Sequence, residues 1–532
     1  MVKIAISNKT NRRLGTMLSA LAIVCQILVS LFFTPFVLRV LGDRDYGIYT
    51  FAISITSWLT ALLLAMGSGY TKYLSLAKKK STEAEQMCDG VYFLIFSVIS
   101  VILFIVGSAI LLFFAFRLIP LDGYSDQEVT SFCFVLAFSV LSCTVSSILG
   151  GFNSYLYYRQ KFILIYALNI FLIIVQTLVC YLTLKCGGDV KMFALAHIGT
   201  SILFSLVQAV ISVGLFGERV RLKIGKEERE ERRKLLKEIL IFSSFVLLNT
   251  TVDALNQNMD KTILGFINPS DVTLYSLGHN ISGYLQNLTN IFVVIYVKDL
   301  TDRYYGDKGL EDADSEQLNV GFVQTLLTFL VIGGFASCGM EFVTIWVGEE
   351  RQIVFWIALT LMLIYSPTYA RGCATTIRRL EWIHKEAALL YLGGAVLNAA
   401  LSIVLCVTLD KEFAIWSCVI GTAVSVVAIS WIGFTIFDTK KGKMKMKPFW
   451  ARYLIILVIA GSCFGLTMLY YLIPSFAELP AYLRLLIKGA TYTVLFAGVV
   501  VFFFRKNITN LLKSRSHAKE SPTLPTNEGD NK

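Results

Sequence analysis

Two stretches of the chain carry carboxylate, amide and ammonium groups at helical spacing. Asn249, Asp253, Asn256 and Asp260 follow at intervals of 4, 3 and 4, one stripe of a 3.6-residue helix, and Gln257 and Lys261 widen it. Ser276, Asn280, Gly283, Asn287 and Asn290 repeat at 4, 3, 4 and 3, flanked by His279 and Gln286. Amides and hydroxyls in such density suit a sugar, a lysine among them suits phosphate, and Asp253 or Asp260 could carry a coupling ion, H+ or Na+. The plainer alternative is a polar seam in which Lys261 pairs with Asp253 or Asp260 for folding only. Arg39 and Lys72 are further cationic candidates for an anionic ligand, or else snorkel to headgroups. Asp43-Arg44-Asp45 is a D-x-D that could hold a metal and a phosphate, although the spacing is common by chance. The eleven cysteines form no C-x-x-C pair and the four histidines are isolated, so no metal site and no cofactor is expected.

The elements that must position these groups follow from composition. Of 532 residues, 55% are hydrophobic and only 16% charged, and mean hydropathy is +0.65. A soluble domain has about 45–50% apolar and about 25% charged residues. There is too little polar surface here for a water-soluble particle, so the chain reads as an all-α polytopic membrane protein. About fourteen apolar runs reach the ~20 residues a spanning helix needs. They divide as 1–215 (helices 1–6), a charged linker at 216–238, 239–437 (helices 7–12), 451–504 (helices 13 and 14) and a polar, disordered tail at 505–532. The linker reads as a surface helix at the headgroups. With the N-terminus in the cytoplasm, 38 of the 48 Lys and Arg residues fall on the inner side. Both termini are then cytoplasmic. The net charge of +11 is thus a topology signal and calls for no nucleic acid. Isolated polar residues in other spans, such as Gln176, His197 and Gln324, read as interhelical hydrogen bonds. Glu341, near a helix end, reads as solvated.

The chain repeats itself. Leu41-Gly42…Asp45-x-x-Ile48-Tyr49-Thr50 returns as Leu264-Gly265…Asp271-x-x-Leu274-Tyr275-Ser276. Each leaves the first helix of a pair and enters the second, six spans apart and hence in the same orientation. Such repeats place a binding site between two pseudo-symmetric six-helix lobes and permit alternating access by rocking.

The segment from Phe33 to Tyr49, FTPFVLRVLGDRDYGIY, resembles the opening of the polysaccharide-transporter (PST) family. These are O-antigen and lipid-linked oligosaccharide flippases, of the superfamily that includes the multidrug and toxin (MATE) exporters. Gly67-Ser68-Gly69-Tyr70-Thr71-Lys72-Tyr73, Asp260-Lys261-Thr262-Ile263-Leu264-Gly265, Glu341 to Glu350, and Asn398-x3-Ser402 with Gly421-Thr422 are similar to later parts of the family, in order. Lys72 stands where an arginine is usual, and Leu63 and Ala65 stand where an acid and a glycine often are. The resemblance implies a MATE-like fold of two six-helix lobes plus two C-terminal helices, with a central cationic cavity. It implies translocation of an undecaprenyl-diphosphate-linked glycan across the bacterial cytoplasmic membrane, for O-antigen, capsule or exopolysaccharide. Polymerase and chain-length machinery would be its partners. The membrane potential alone would push a doubly charged headgroup outward. Two other readings stand beside it: a cation-coupled multidrug exporter of the same fold, and a membrane glycosyltransferase or polymerase built on Asp43 and Asp45.

Overall fold

A chain this apolar satisfies its backbone in hydrocarbon by forming helices. The computed structural model describes residues 8–67, 69–121, 123–216 and 229–520. All of its regular structure within those bounds is helical. In order these are α1 (Asn8–Gly67), α2 (Tyr70–Lys80), α3 (Thr82–Ala115), α4 (Asp126–Tyr158), α5 (Phe162–Lys185), α6 (Val190–Phe216), α7 (Arg229–Gly265), α8 (Pro269–Tyr304) and α9 (Leu310–Val347). There follow α10 (Ile353–Ala370), α11 (Ala374–Leu380), α12 (His384–Thr408), α13 (Ala414–Val426), α14 (Phe434–Lys440), α15 (Met446–Met468), α16 (Pro474–Ala477) and α17 (Ala481–Glu520). Residues Val427–Gly433, between α13 and α14, are wound as a wide π-type turn. Most of the charged linker, 217–228, lies outside the described residues, and from Arg229 the chain is already α7. The expected tail begins as helix, since α17 continues past a break at Phe504. Residues 521–532 lie outside the described ones.

Among the described residues, twelve helices are long and apolar enough to cross a membrane. One of them, Met17–Lys80, contains most of α1, whose 60 residues would run ~90 Å unbroken, about three bilayer cores. It is interrupted at Gly42, whose φ of 77° and ψ of 174° leave the helical region, and so supplies two spans. The 36-residue α8 is absent from the twelve because its polar stripe lowers its hydropathy. With these two the expected fourteen are accounted for, and the chain is a multi-pass membrane protein.

The described chain divides into two compact units. The first comprises residues 1–287, 346–364 and 382–437; the second comprises 288–345, 365–381 and 438–532. Within the first, Tyr70, Leu74, Cys88, Tyr92, Phe96 and Ile239 close a core between α2, α3 and α7. Helix α4 opens on a capping box between Ser125 and Glu128. Expected interhelical bonds are present: Gln176 Nε2 donates to the His197 carbonyl (2.8 Å) and to Ser201 Oγ (2.9 Å), joining α5 to α6. His197 Nδ1 meets the Tyr49 hydroxyl at 2.9 Å, joining α6 to α1.

The second unit packs α9, α11, α15 and α17 around Phe329, Tyr453, Tyr492 and Phe496. Gln324 Nε2 donates to the Thr289 carbonyl at 3.1 Å. Asp438 is fully buried and holds both Arg371 and Arg378. Glu341 corrects the expectation of a solvated end: it is buried at 4% exposure and takes the ammonium of Lys488, itself 1% exposed. The Lys488 ammonium also lies 4.0 Å from the centroid of the Tyr471 ring. Local spacing could not reveal this, because the partner stands 147 residues away, in α17. Lys488→Met alone strands a carboxylate and should cost about 3–5 kcal/mol. Lys488→Met with Glu341→Met should recover most of that loss. Apparent melting temperatures of the two variants in detergent check both outcomes.

Candidate functional site

The stripe on α7 does not share one environment. Asp260 is buried, whereas Asn249, Asn256 and Lys261 are half-buried and Asp253 and Gln257 are exposed. On α8, Asn280 is half-buried and Asn287 and Asn290 are exposed; Asn290 belongs to the second unit. Arg39 is exposed on α1. Lys72 is exposed and lies 4.5 Å from the centroid of the Phe242 ring of α7, a cation–π contact. Exposed Asp, Gln and Asn side chains in a span cannot rest against lipid at small cost, since even a generous scale charges about 2.5–3.5 kcal/mol for a mid-membrane carboxylate. They need water, ligand or another polar face.

Asp260 is the hub of a buried polar cluster. The Tyr275 hydroxyl donates to Oδ2 at 2.5 Å and Thr422 Oγ1 donates to the same oxygen at 2.7 Å. Asn398 Nδ2 and Ser402 Oγ approach Oδ1 at 3.3 and 3.5 Å. Four helices of the first unit thus converge: α7, α8, α12 and α13. Asn398 Oδ1 also faces Ser402 Oγ (3.1 Å) and Thr422 Oγ1 (3.3 Å). Gly421 permits this, because a Cβ there would sit 2.2 Å from Ser402 Oγ and 3.0 Å from its backbone nitrogen. All four groups around the carboxylate are neutral, and Lys261 acts on it only at longer range. Carboxylate, hydroxyl and amide oxygens of this kind are the donors that proteins offer to hard cations. Among the described residues no cluster of His, Cys, Asp and Glu has the make-up of a metal site.

Only Asp260 of this cluster was singled out from the helical stripes. The other members were visible as separate fragments: Tyr275 in the internal repeat, and Asn398, Ser402, Gly421 and Thr422 in the family-like motifs. Their convergence is a tertiary fact.

The two copies of the repeat touch. Thr273 Oγ1 donates to the Asp43 carbonyl at 2.7 Å. A Cβ on Gly47 would lie 1.8 Å from the Pro269 carbonyl oxygen, so only glycine allows this approach. Arg351 Nε donates to Asp43 Oδ1 at 2.8 Å. Arg44 holds Glu128 at 2.6 and 3.0 Å and the Gly123 carbonyl at 2.8 Å. The first acid of the D-x-D is therefore engaged by an arginine. From this turn α7 lies along α1, with Thr262 beside Ser54 (3.1 Å) and Thr250 Oγ1 donating to the Ala61 carbonyl (3.1 Å).

The fold is similar to that of solved membrane transporters and a flippase. A multidrug resistance MATE family transporter of the MOP superfamily is similar in its inward-facing conformation, with a TM-score of 0.54 and 11% identity over 78% of this chain and 95% of its own. Its outward-facing conformation gives 0.51 and 11%, over 81% and 96%. The lipid II flippase MurJ, in an inward closed conformation, is similar over 94% of this chain and 99% of its own, with a TM-score of 0.63 and 15% identity. No family model matches the chain by sequence, and no curated protein does.

Tyr275→Phe and Thr422→Val each remove one donor from the buried Asp260 Oδ2. Each should cost about 1–3 kcal/mol. The double variant should depart from additivity, because both donors serve one oxygen. A double-mutant cycle on melting temperature reads this directly.

Proposed function

We propose that the chain is a flippase, not an enzyme, that moves an undecaprenyl-diphosphate-linked oligosaccharide from the inner to the outer leaflet of the bacterial cytoplasmic membrane. The observation that carries this reading is the likeness to a lipid II flippase over nearly the whole of both chains. The MATE transporter leaves about a fifth of this chain unmatched, which disfavours the drug-exporter reading. Engagement of Asp43 by Arg351 disfavours a metal-dependent transferase built on the D-x-D.

In this proposal the distribution of Lys and Arg puts both termini and the Lys72 end of α1–α2 in the cytoplasm, and the Gly42 turn outside. The half-buried and exposed amides of α7 and α8 line the path of the glycan. Lys261, with Arg39 and Lys72 near its ends, compensates the diphosphate, and the prenyl tail stays in the bilayer. Asp260, with Tyr275, Asn398, Ser402 and Thr422, holds the coupling cation or proton when one is bound; Asp253 is the alternative carboxylate. The cation would supply charge compensation, and its arrival or departure would alter how α7 and α8 pack on α12 and α13. The membrane potential adds an outward push of about 2.3 kcal/mol per charge per 100 mV. A polymerase and chain-length machinery would take the product onward.

The deciding experiment locates the lipid-linked oligosaccharide in a strain lacking this protein but retaining its ligation machinery. Complete repeat units held on the cytoplasmic leaflet are expected. Units that reach the outer leaflet at the parental rate sink the proposal. In that strain Lys261→Ala, inserted at the normal level, should slow export about tenfold, as loss of a charge-assisted contact does. Asp260→Asn, nearly isosteric, should remove any dependence of export on a Na+ or proton gradient.

A further inference from the structure

A second cationic feature lies away from the α7–α8 stripes. The last turn of α2 and the turn between α4 and α5 border an open, shallow cavity of about 510 Å³ lined by Lys78, Lys79, Tyr158, Arg159 and Lys161, among others. That volume falls within the range of ordinary small-ligand sites, roughly 300–1,000 Å³. Four positive side chains meet there. Among the described residues Lys78, Lys79 and Arg159 take part in no ion pair, whereas the adjacent Lys80 pairs with Glu231. Glu85 of α3 is not among the lining residues and accepts the Tyr158 hydroxyl at 2.8 Å.

The cations are oriented by aromatic faces instead. Lys78 Nζ lies 5.8 Å from the Tyr158 ring centroid, and the Arg159 guanidinium 5.9 Å from that of Tyr155. Gln160 holds a left-handed conformation with φ of 55°, and the Lys161 amide donates to the Leu156 carbonyl at 3.1 Å, which fixes the turn. The end of α2 attracts lysines through its helix dipole. That accounts for Lys78 and Lys79 but not for Arg159 and Lys161 facing the same cavity. Like charges gathered at one cavity repel unless an anion joins them, and guanidinium with ammonium groups is the usual partner of phosphate.

We propose that this cavity binds the phosphate of an anionic lipid headgroup at the membrane surface. It lies where α2 and α4 end and α5 begins, and it does not depend on the transport reading. The test uses the full-length protein in detergent with short-chain phosphatidylglycerol, short-chain phosphatidylcholine or inorganic phosphate as probes, read by thermal stabilisation. Phosphatidylglycerol should stabilise the native chain at concentrations about tenfold lower than it does Lys78→Ala/Lys79→Ala/Arg159→Ala. Phosphatidylcholine should do little. Lys78→Arg/Lys79→Arg should keep the response, because the charge is kept. A response to phosphatidylglycerol alone identifies the headgroup as occupant; an equal response to inorganic phosphate keeps the phosphate site and assigns it to a soluble phosphate. Lys440→Ala/Lys441→Ala/Lys443→Ala removes the same number of charges elsewhere. If it loses the response as fully as the cavity variant, or if the cavity variant keeps the native response, the proposal is overturned.

Discussion

A carboxylate placed among apolar helices must be solvated by the protein itself, and α7 is organised by that requirement at Asp260. No water-like environment replaces the hydration shell there. Tyr275, Asn398, Ser402 and Thr422 do so instead, each from a different turn of three neighbouring helices. The closeness of α12 and α13 follows, with Gly421 admitting Ser402 and Asn398. Because the donors are neutral, the negative charge is distributed and not cancelled. That is a poor device for stability alone, since an apolar replacement of the whole cluster would serve as well.

The same logic in the second unit has a different outcome. Asp438 is held by two arginines and Glu341 by one lysine. These are full ion pairs, closed and directional, and they tie α17 to α9 and the α10–α11 region to Asp438. The contrast is between a carboxylate solvated by neutral groups and carboxylates neutralised by cations.

Helix number and the repeat were legible in the sequence because both rest on local signals, apolar run length and turn residues. Lipid makes run length decisive. The polar faces of α7 and α8 were legible from spacing. What spacing could not resolve was which member of a face is buried: Asp260 and Asp253 lie seven residues apart on one stripe, yet one is enclosed and the other exposed. That difference is made by α12 and α13, more than a hundred residues downstream. Glu341 was misread for the same reason, since its cation, Lys488, stands alone in an apolar helix. The MATE-like fold was expected from short stretches of the sequence, and some of these meet in the structure. Asn398, Ser402 and Thr422 are points of contact with Asp260, and Gly421 packs against Ser402 and Asn398.

The wide turn at Val427–Gly433 has a bearing on how such sites share one stretch of chain. Thr422 precedes it and serves Asp260; Asp438 follows it and serves Arg371 and Arg378. In an uninterrupted α-helix each residue advances by ~100°, so the directions of those two side chains would be locked together. A π-type turn advances by a smaller angle per residue and so resets that fixed offset. It acts as a phase shifter, so that Thr422 before it and Asp438 after it serve separate clusters.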